Sequence, residues 1–178
     1  MTTKKITTKK TTPTLDVDRT RERLLALELS FAAEGLDRLL SESVKETTPP
    51  HAFLDRLLSE EIAGREERRI ARSLRLSNLP MGPTIANFDF AFQPAVERSR
   101  IETLSTSAWV RDAETVLLQG PPGVGKTHLA IGLGIKAIEQ GFSVQFYRFD
   151  ELLTQLRRDA GLPPSKLRRK KYLPGRCS

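Results

Sequence analysis

Residues Gly120, Pro121, Pro122, Gly123, Val124, Gly125, Lys126 and Thr127 have the types and the spacing needed to hold a chain of phosphates. The pattern is G-x-x-x-x-G-K-[ST]. Gly120, Gly123 and Gly125 free the backbone to turn successive amide hydrogens inward onto phosphate oxygens. Lys126 supplies a mobile positive charge for the β- and γ-phosphates, and the Thr127 hydroxyl is placed to bind the Mg²⁺ that bridges them. A helix following the loop, with His128 in its first turn, adds the partial positive charge of its N-terminus. Residues 120–128 are therefore read as a triphosphate cradle with Mg²⁺, with Thr127 as the metal ligand and no catalytic residue assigned. The competing reading is a glycine-rich strand-to-helix turn that binds nothing, and the flanking segments decide against it.

Those segments supply the strand and the helix that the pattern requires. Residues 114–119 form an apolar, partly β-branched run expected to be a buried strand. From His128 onward, Leu129, Ala130, Leu133, Ala137 and Ile138 recur at helical spacing up to a stop at Gly141. A second strand is expected at 143–148. A helix follows at 150–159, with Leu152, Leu153 and Leu156 inward, and Gly161, Pro163 and Pro164 end it.

Upstream, residues 16–46 read as a helix with a stripe of Leu24, Leu27, Phe31, Leu36, Leu39, Leu40 and Val44, and with Gly35 as a possible break. Residues 47–50 offer an N-cap and a proline start for the next helix. That helix begins with Phe53, Leu54, Leu57, Leu58 and Ile62 and continues into Arg65, Arg68, Arg69, Arg72 and Arg75. The arginines suit either a solvated face laced with i,i+4 pairs or contact with DNA. Residues 79–94 are irregular, and Phe88, Phe90 and Phe92 alternate there, either packing under a sheet or lying near an adenine ring. Pro94 can open a helix through Val96, Ile101 and Leu104, and Trp109 reads as a packing anchor. The expected fold class is α/β. It comprises a disordered basic tail (1–15), a helical N-terminal module (16–78) and a P-loop nucleotide domain (79–178).

The net charge of +7 is concentrated at the two ends: residues 1–15 carry +4 and residues 157–176 carry +7, which leaves −4 between them. Such clusters suit the phosphate backbone of DNA, although a solvated tail has the same composition. Cys177 is the only cysteine, which excludes a disulfide framework or a cysteine-based metal cluster, and His51 and His128 lack ligand spacing. No apolar run approaches the ~20 residues of a membrane span, and the N-terminal lysines precede no signal-like segment. A soluble cytoplasmic protein is expected, with no membrane partner.

The chain resembles the IstB-like transposition helper ATPases, relatives of the DnaC-type helicase loaders within the AAA+ group. The resemblance covers most of residues 20–160. It rests on Arg65-Glu-Glu-Arg-Arg-Ile70, on Phe88-Asp-Phe-Ala-Phe-Gln-Pro94, on the loop and helix start at 120–130, and on Asp150-Glu-Leu-Leu153. It implies an ATP-dependent homo-oligomer that binds DNA and prepares it for a transposase, with Gly120, Gly123, Gly125, Lys126 and Thr127 holding the phosphates and the metal. The family continues into an apolar strand ending in acidic residues, the Walker B element, and then into sensor residues and an arginine finger. Here no acidic residue follows Asp159. Glu151 and Asp159, in a helix beyond the second strand, are poor substitutes for that acid. The expectation is a chain truncated or frameshifted before Walker B that binds ATP without efficient hydrolysis and leaves two strands unpaired. A helicase-loader-like ATPase and a non-catalytic DNA- or partner-binding fragment are the alternatives.

Overall fold

The computed structural model describes residues 16–160, which divide into two compact units at Glu66 and Glu67. In the first unit lie α1 (Val17–Ala26), α2 (Ser30–Glu46) and the N-terminal part of α3 (Pro50–Leu76). Asp16 caps α1 by accepting a hydrogen bond from the Arg19 amide at 3.2 Å. The expected single helix over 16–46 is broken, and the break lies at 27–29 rather than at Gly35. The Leu29 amide donates to Leu24 O at 2.8 Å and the Glu28 amide to Leu25 O at 2.9 Å, with Glu28 at φ 60°. This is a Schellman closure built on a glutamate. Gly35 is instead buried inside α2, where an added Cβ would lie 3.4 Å from the Glu60 side chain of α3. It lies against α3 at ordinary contact distance and does not break the helix.

The core of this unit is Ala32, Leu36, Leu39 and Leu57, with Val17, Leu24, Leu29, Leu40 and Phe53 packed around it. Of the expected stripe, Leu27 and Val44 are exposed. Gly64 marks a close approach, because a Cβ there would sit 2.3 Å from the Phe31 ring. The N-terminus of α2 has no side-chain cap of its own. The cap comes from the buried Glu61 carboxylate of α3, which accepts from the Ala32 amide at 3.0 Å and from Arg65 Nε at 2.6 Å. Arg65 in turn donates to the Glu28 carbonyl at 2.8 Å, so one side-chain pair ties the α1–α2 turn to α3. Burial pushes the Glu61 carboxyl up, but the Ala32 amide, Arg65 and the Phe31 amide outweigh it and hold the group below its ordinary value.

The second unit contains the end of α3, then α4 (Arg98–Ser105), α5 (Ala108–Arg111), α6 (Lys126–Glu139) and α7 (Phe149–Ala160). Its core joins Phe88, Ile101 and Leu129, with Ile85, Phe90, Val96, Leu104 and Leu118 against it. Trp109 anchors α5 by donating from Nε1 to Leu104 O at 2.9 Å. The stop after α6 falls where the glycine placed it. Gly141 has φ 92°, and the Phe142 amide donates to Ala137 O at 3.0 Å. Arg69 of α3 covers the same end, donating to Ile138 O and Glu139 O at 3.0 and 3.2 Å.

The α/β expectation is not met among the described residues, where every regular element is a helix. Neither 114–119 nor 143–148 is a strand. Both keep a strand's burial period: Val116 and Leu118 are half-buried while Leu117 and Gln119 are exposed, and Val144 and Phe146 are half-buried while Ser143 and Gln145 are exposed. What they lack is a ladder. Phe146 donates its amide to Ser77 O at 2.7 Å and Gln145 its side chain to Leu76 O at 2.9 Å, so the last residue of α3 and the one after it anchor this segment. A strand exists only through pairing with a neighbour, and these two segments do not pair with each other. On α7, Leu153 and Leu156 are exposed rather than inward, and Leu152 is half-buried. The basic tail at 1–15, the helix end at Gly161, Pro163 and Pro164, the basic stretch up to residue 176 and Cys177 lie outside the described residues.

Candidate nucleotide site

The loop at 120–125 follows the unpaired 114–119 segment and runs directly into α6. Gly123 and Gly125 take φ of 83° and 84°, a left-handed conformation that side chains rarely adopt. They differ in their surroundings. A Cβ on Gly123 would meet nothing within 4 Å, whereas one on Gly125 would lie 2.6 Å from Cε2 of Phe88. The first glycine leaves the mouth of the loop open, and the second lets the loop rest on an aromatic ring. Gly125 is the N-cap of α6, and its carbonyl accepts from the Leu129 amide at 3.0 Å. The amides of the first helical turn have no intrahelical acceptor, so they are available to an anion beyond the helix end.

Lys126 folds back across the loop and donates from Nζ to the Pro121 carbonyl at 2.7 Å. Its ammonium is therefore held against the loop at an exposed position. Thr127 is exposed in the first turn of α6, and Pro121 and Pro122 are exposed on the loop, while Val124 is half-buried. An open cradle, a cation held across it and a helix N-terminus fit a polyphosphate. For Mg²⁺ the fit is narrower. No group of three or more His, Cys, Asp or Glu residues that could hold a metal is found among the described residues. Among the described residues, the Thr127 hydroxyl and the Asp150 carboxylate share a cavity with Lys126, so a metal ion there would draw most of its ligands from phosphate oxygens and water.

The side chain of His128 does not point to the loop mouth. Its Nε2 lies 2.8 Å from Thr84 O and 2.9 Å from Asn87 Oδ1. The Asn87 amide is oriented by two further bonds: Oδ1 accepts from the Thr84 amide at 2.7 Å, and Nδ2 donates to Gly82 O at 2.8 Å. Both partners of Nε2 are thus acceptors, and Nε2 carries the proton that it shares between them. The His128 ring also stands edge-on to Phe88 at 5.3 Å between centroids, and Phe88 to Phe90 at 4.9 Å. Of the three alternating phenylalanines, Phe88 packs beneath the glycine loop and Phe92 is exposed.

Sequence spacing gave no sign of several residues that share a cavity with the loop. Phe146, Tyr147, Arg148, Phe149 and Asp150 line, with Lys126 and Thr127, a space of about 750 Å³. Asp150 pairs there with Arg148 at 3.7 Å. Glu151 is exposed on α7 and is not among those lining residues. On another side of the loop, Glu97, Arg100, Gln119, Val124 and Lys126 border a cavity of about 550 Å³. No described helix is long and apolar enough to cross a membrane.

A family model described as IstB-like ATP binding protein matches residues 22–171. The chain is 38% identical over 133 residues to a Pseudomonas aeruginosa protein named for insertion sequence IS21 and for ATP binding, covering 75% of this chain and 50% of that protein. It is also 38% identical over 141 residues to a Geobacillus stearothermophilus protein named for insertion sequence IS5376 and for ATP binding, covering 79% of this chain and 56% of that one. A Pseudomonas fluorescens protein named for insertion sequence IS1162 and for ATP binding is 31% identical over 139 residues, covering 78% and 60%. The chain spans about half the length of the first two of these relatives.

Proposed function

Because the chain belongs to the family of IstB-like ATP binding proteins, we propose that it binds ATP with Mg²⁺ through residues 120–127 and works as the helper of an insertion-sequence transposase. The observation that carries this reading is the pre-shaped loop: two left-handed glycines, an open mouth at Gly123, and Lys126 held across it at the start of a 14-residue helix. Gly120, Gly123 and Gly125 shape the cradle around Pro121, Pro122 and Val124. The backbone amides of Gly125, Lys126, Thr127 and His128 face the phosphates, Lys126 neutralises them, and Thr127 holds the metal ion they share. The two-residue burial period of 115–119 and 143–146 supports an α/β P-loop domain.

Relatives named for insertion sequences favour a transposition role over helicase loading. DNA and a transposase are the proposed partners and the cytoplasm the proposed compartment, with further copies of the chain assembling in a nucleotide-dependent way. The excess of basic residues towards both ends supports DNA as a partner. Hydrolysis is proposed to be inefficient. Among the described residues, Asp150 is the acidic residue that shares the Lys126 and Thr127 cavity, and it pairs with Arg148 at 3.7 Å.

Calorimetric titration with Mg²⁺-ATP tests the reading. Lys126→Ala should weaken binding by at least about 100-fold, consistent with loss of a charge-assisted bond in a preorganised site. Unchanged affinity in that variant would refute a phosphate-binding loop. Pull-down with a transposase against a replicative helicase separates the helper from the loader.

A further inference from the structure

The loop at 82–92 reaches the phosphate-binding loop at two places, one polar and one aromatic. The polar one is the His128 proton shared between Thr84 O and Asn87 Oδ1. Asn87 is itself tied on both sides, to the Thr84 amide and to Gly82 O, and its own amide donates to Thr84 Oγ1 at 3.2 Å. The aromatic one is Phe88, which is 8% exposed and fills the space that a side chain on Gly125 would need. An Asx turn at Asp89, with Oδ1 accepting from the Ala91 and Phe92 amides at 2.9 and 3.0 Å, turns the chain after Phe90. Phe90 in turn braces Phe88 and lies under Arg98, whose guanidinium is 5.3 Å from the ring centroid.

We infer that Asn87 and His128 form a clasp that sets the first turn of α6 for phosphate binding, so that both act as positioning residues while neither side chain touches the nucleotide. Resting on the ATP-binding reading, this extends it by giving the His128 side chain a role away from the phosphates. Two features make a clasp of these contacts rather than ordinary packing. His128 is adjacent to Thr127, so a shift of its ring moves the amides that face the anion. Phe88, next to Asn87 in sequence, lies directly beneath Gly125, the N-cap of the same turn. The polar and aromatic contacts thus fix the helix start from two directions, and a preorganised cradle binds without an ordering cost.

The test uses the full chain and four variants, titrated separately with Mg²⁺-ATP and with inorganic pyrophosphate, and each is also melted without ligand. His128→Leu should weaken both ligands about tenfold, since one shared hydrogen bond is lost and the turn loosens. Asn87→Ala, which removes the acceptor while leaving the imidazole, should weaken both by a similar factor. His128→Gln can present a side-chain N–H near the same point and should return affinity to within about threefold of the original. Equal weakening for pyrophosphate is the signature of a phosphate-loop effect, and a purely structural role would lower the melting temperature without a rescue of affinity by glutamine. Lys126→Ala tests the underlying reading separately. Should that variant lose ATP while His128→Leu and Asn87→Ala bind like the original, the clasp is refuted and the ATP site stands. Should Lys126→Ala bind normally, both fall.

Discussion

Gly123 and Gly125 share a backbone conformation but have different neighbours, so the same substitution should have unequal effects at the two positions. Gly123→Ala places a methyl group in open space and incurs only the left-handed backbone cost, about 1–2 kcal/mol. Gly125→Ala adds a collision with the Phe88 ring at 2.6 Å, and overpacking of that kind costs a further ~1–3 kcal/mol. Urea denaturation of the two variants should show Gly125→Ala as the less stable. Equal midpoints would mean that Phe88 moves aside freely. This difference was not legible in the sequence, because the pattern marks both positions as glycine and the ring that separates them comes from a residue far away in the chain. The left-handed turns of the loop were legible, since glycine stands at both positions that need them.

Helix α2 is the element whose stability depends most clearly on one distant group. Its N-terminal amides at Phe31 and Ala32 are served by Glu61, whose folded pKa lies below the ordinary carboxylate value of 4.5. A depressed carboxylate contributes stability that is fully present above the unfolded value and is lost as pH falls through the folded one. Thermal melts of the helical unit should therefore weaken progressively below about pH 4.5. Glu61→Ala should remove most of that pH dependence and cost about 2–3 kcal/mol at neutral pH, because the Ala32 amide stays buried without an acceptor. A pH profile identical in the variant would assign the acid sensitivity to other groups. The carboxylate looks unremarkable in sequence, sitting among arginines in a charged helix. The break at Glu28 was equally hidden, since glutamate is a poor residue for a left-handed closure and Gly35 was the more obvious candidate. By contrast, the end of α6 at Gly141 was read correctly because closure there uses the residue best suited to it. Segments 115–119 and 143–146 show the limit of local pattern. Their alternation could be read from residue types, whereas pairing depends on neighbours that no local window specifies.

Across the whole molecule, the second unit presents Met81, Phe92, Leu117 and Phe149 to solvent, each at least 71% exposed. Apolar surface of that extent, beside segments without ladder partners, favours association and dye binding. The chain should enhance the fluorescence of an apolar dye such as ANS at neutral pH, whereas a silent dye signal would indicate that this surface is covered in solution. A nucleotide that binds one unit should stabilise that unit selectively. At 100-fold excess over Kd the gain is about 2.7 kcal/mol, so Mg²⁺-ATP should raise the melting transition of the unit carrying α6 and leave the α1–α2 unit unmoved. Hydrogen exchange followed by mass spectrometry can assign the transitions, and uniform protection of both units would argue against independent behaviour. Lys126 has a further consequence for the timing of these events. With its ammonium already on the Pro121 carbonyl, the cation would, on the proposed reading, exchange one oxygen for another when a phosphate arrives. Encounter should then need no search by a wandering side chain, and the expected outcome in stopped-flow binding is a similar association rate for different nucleotides, with their affinities separated by dissociation.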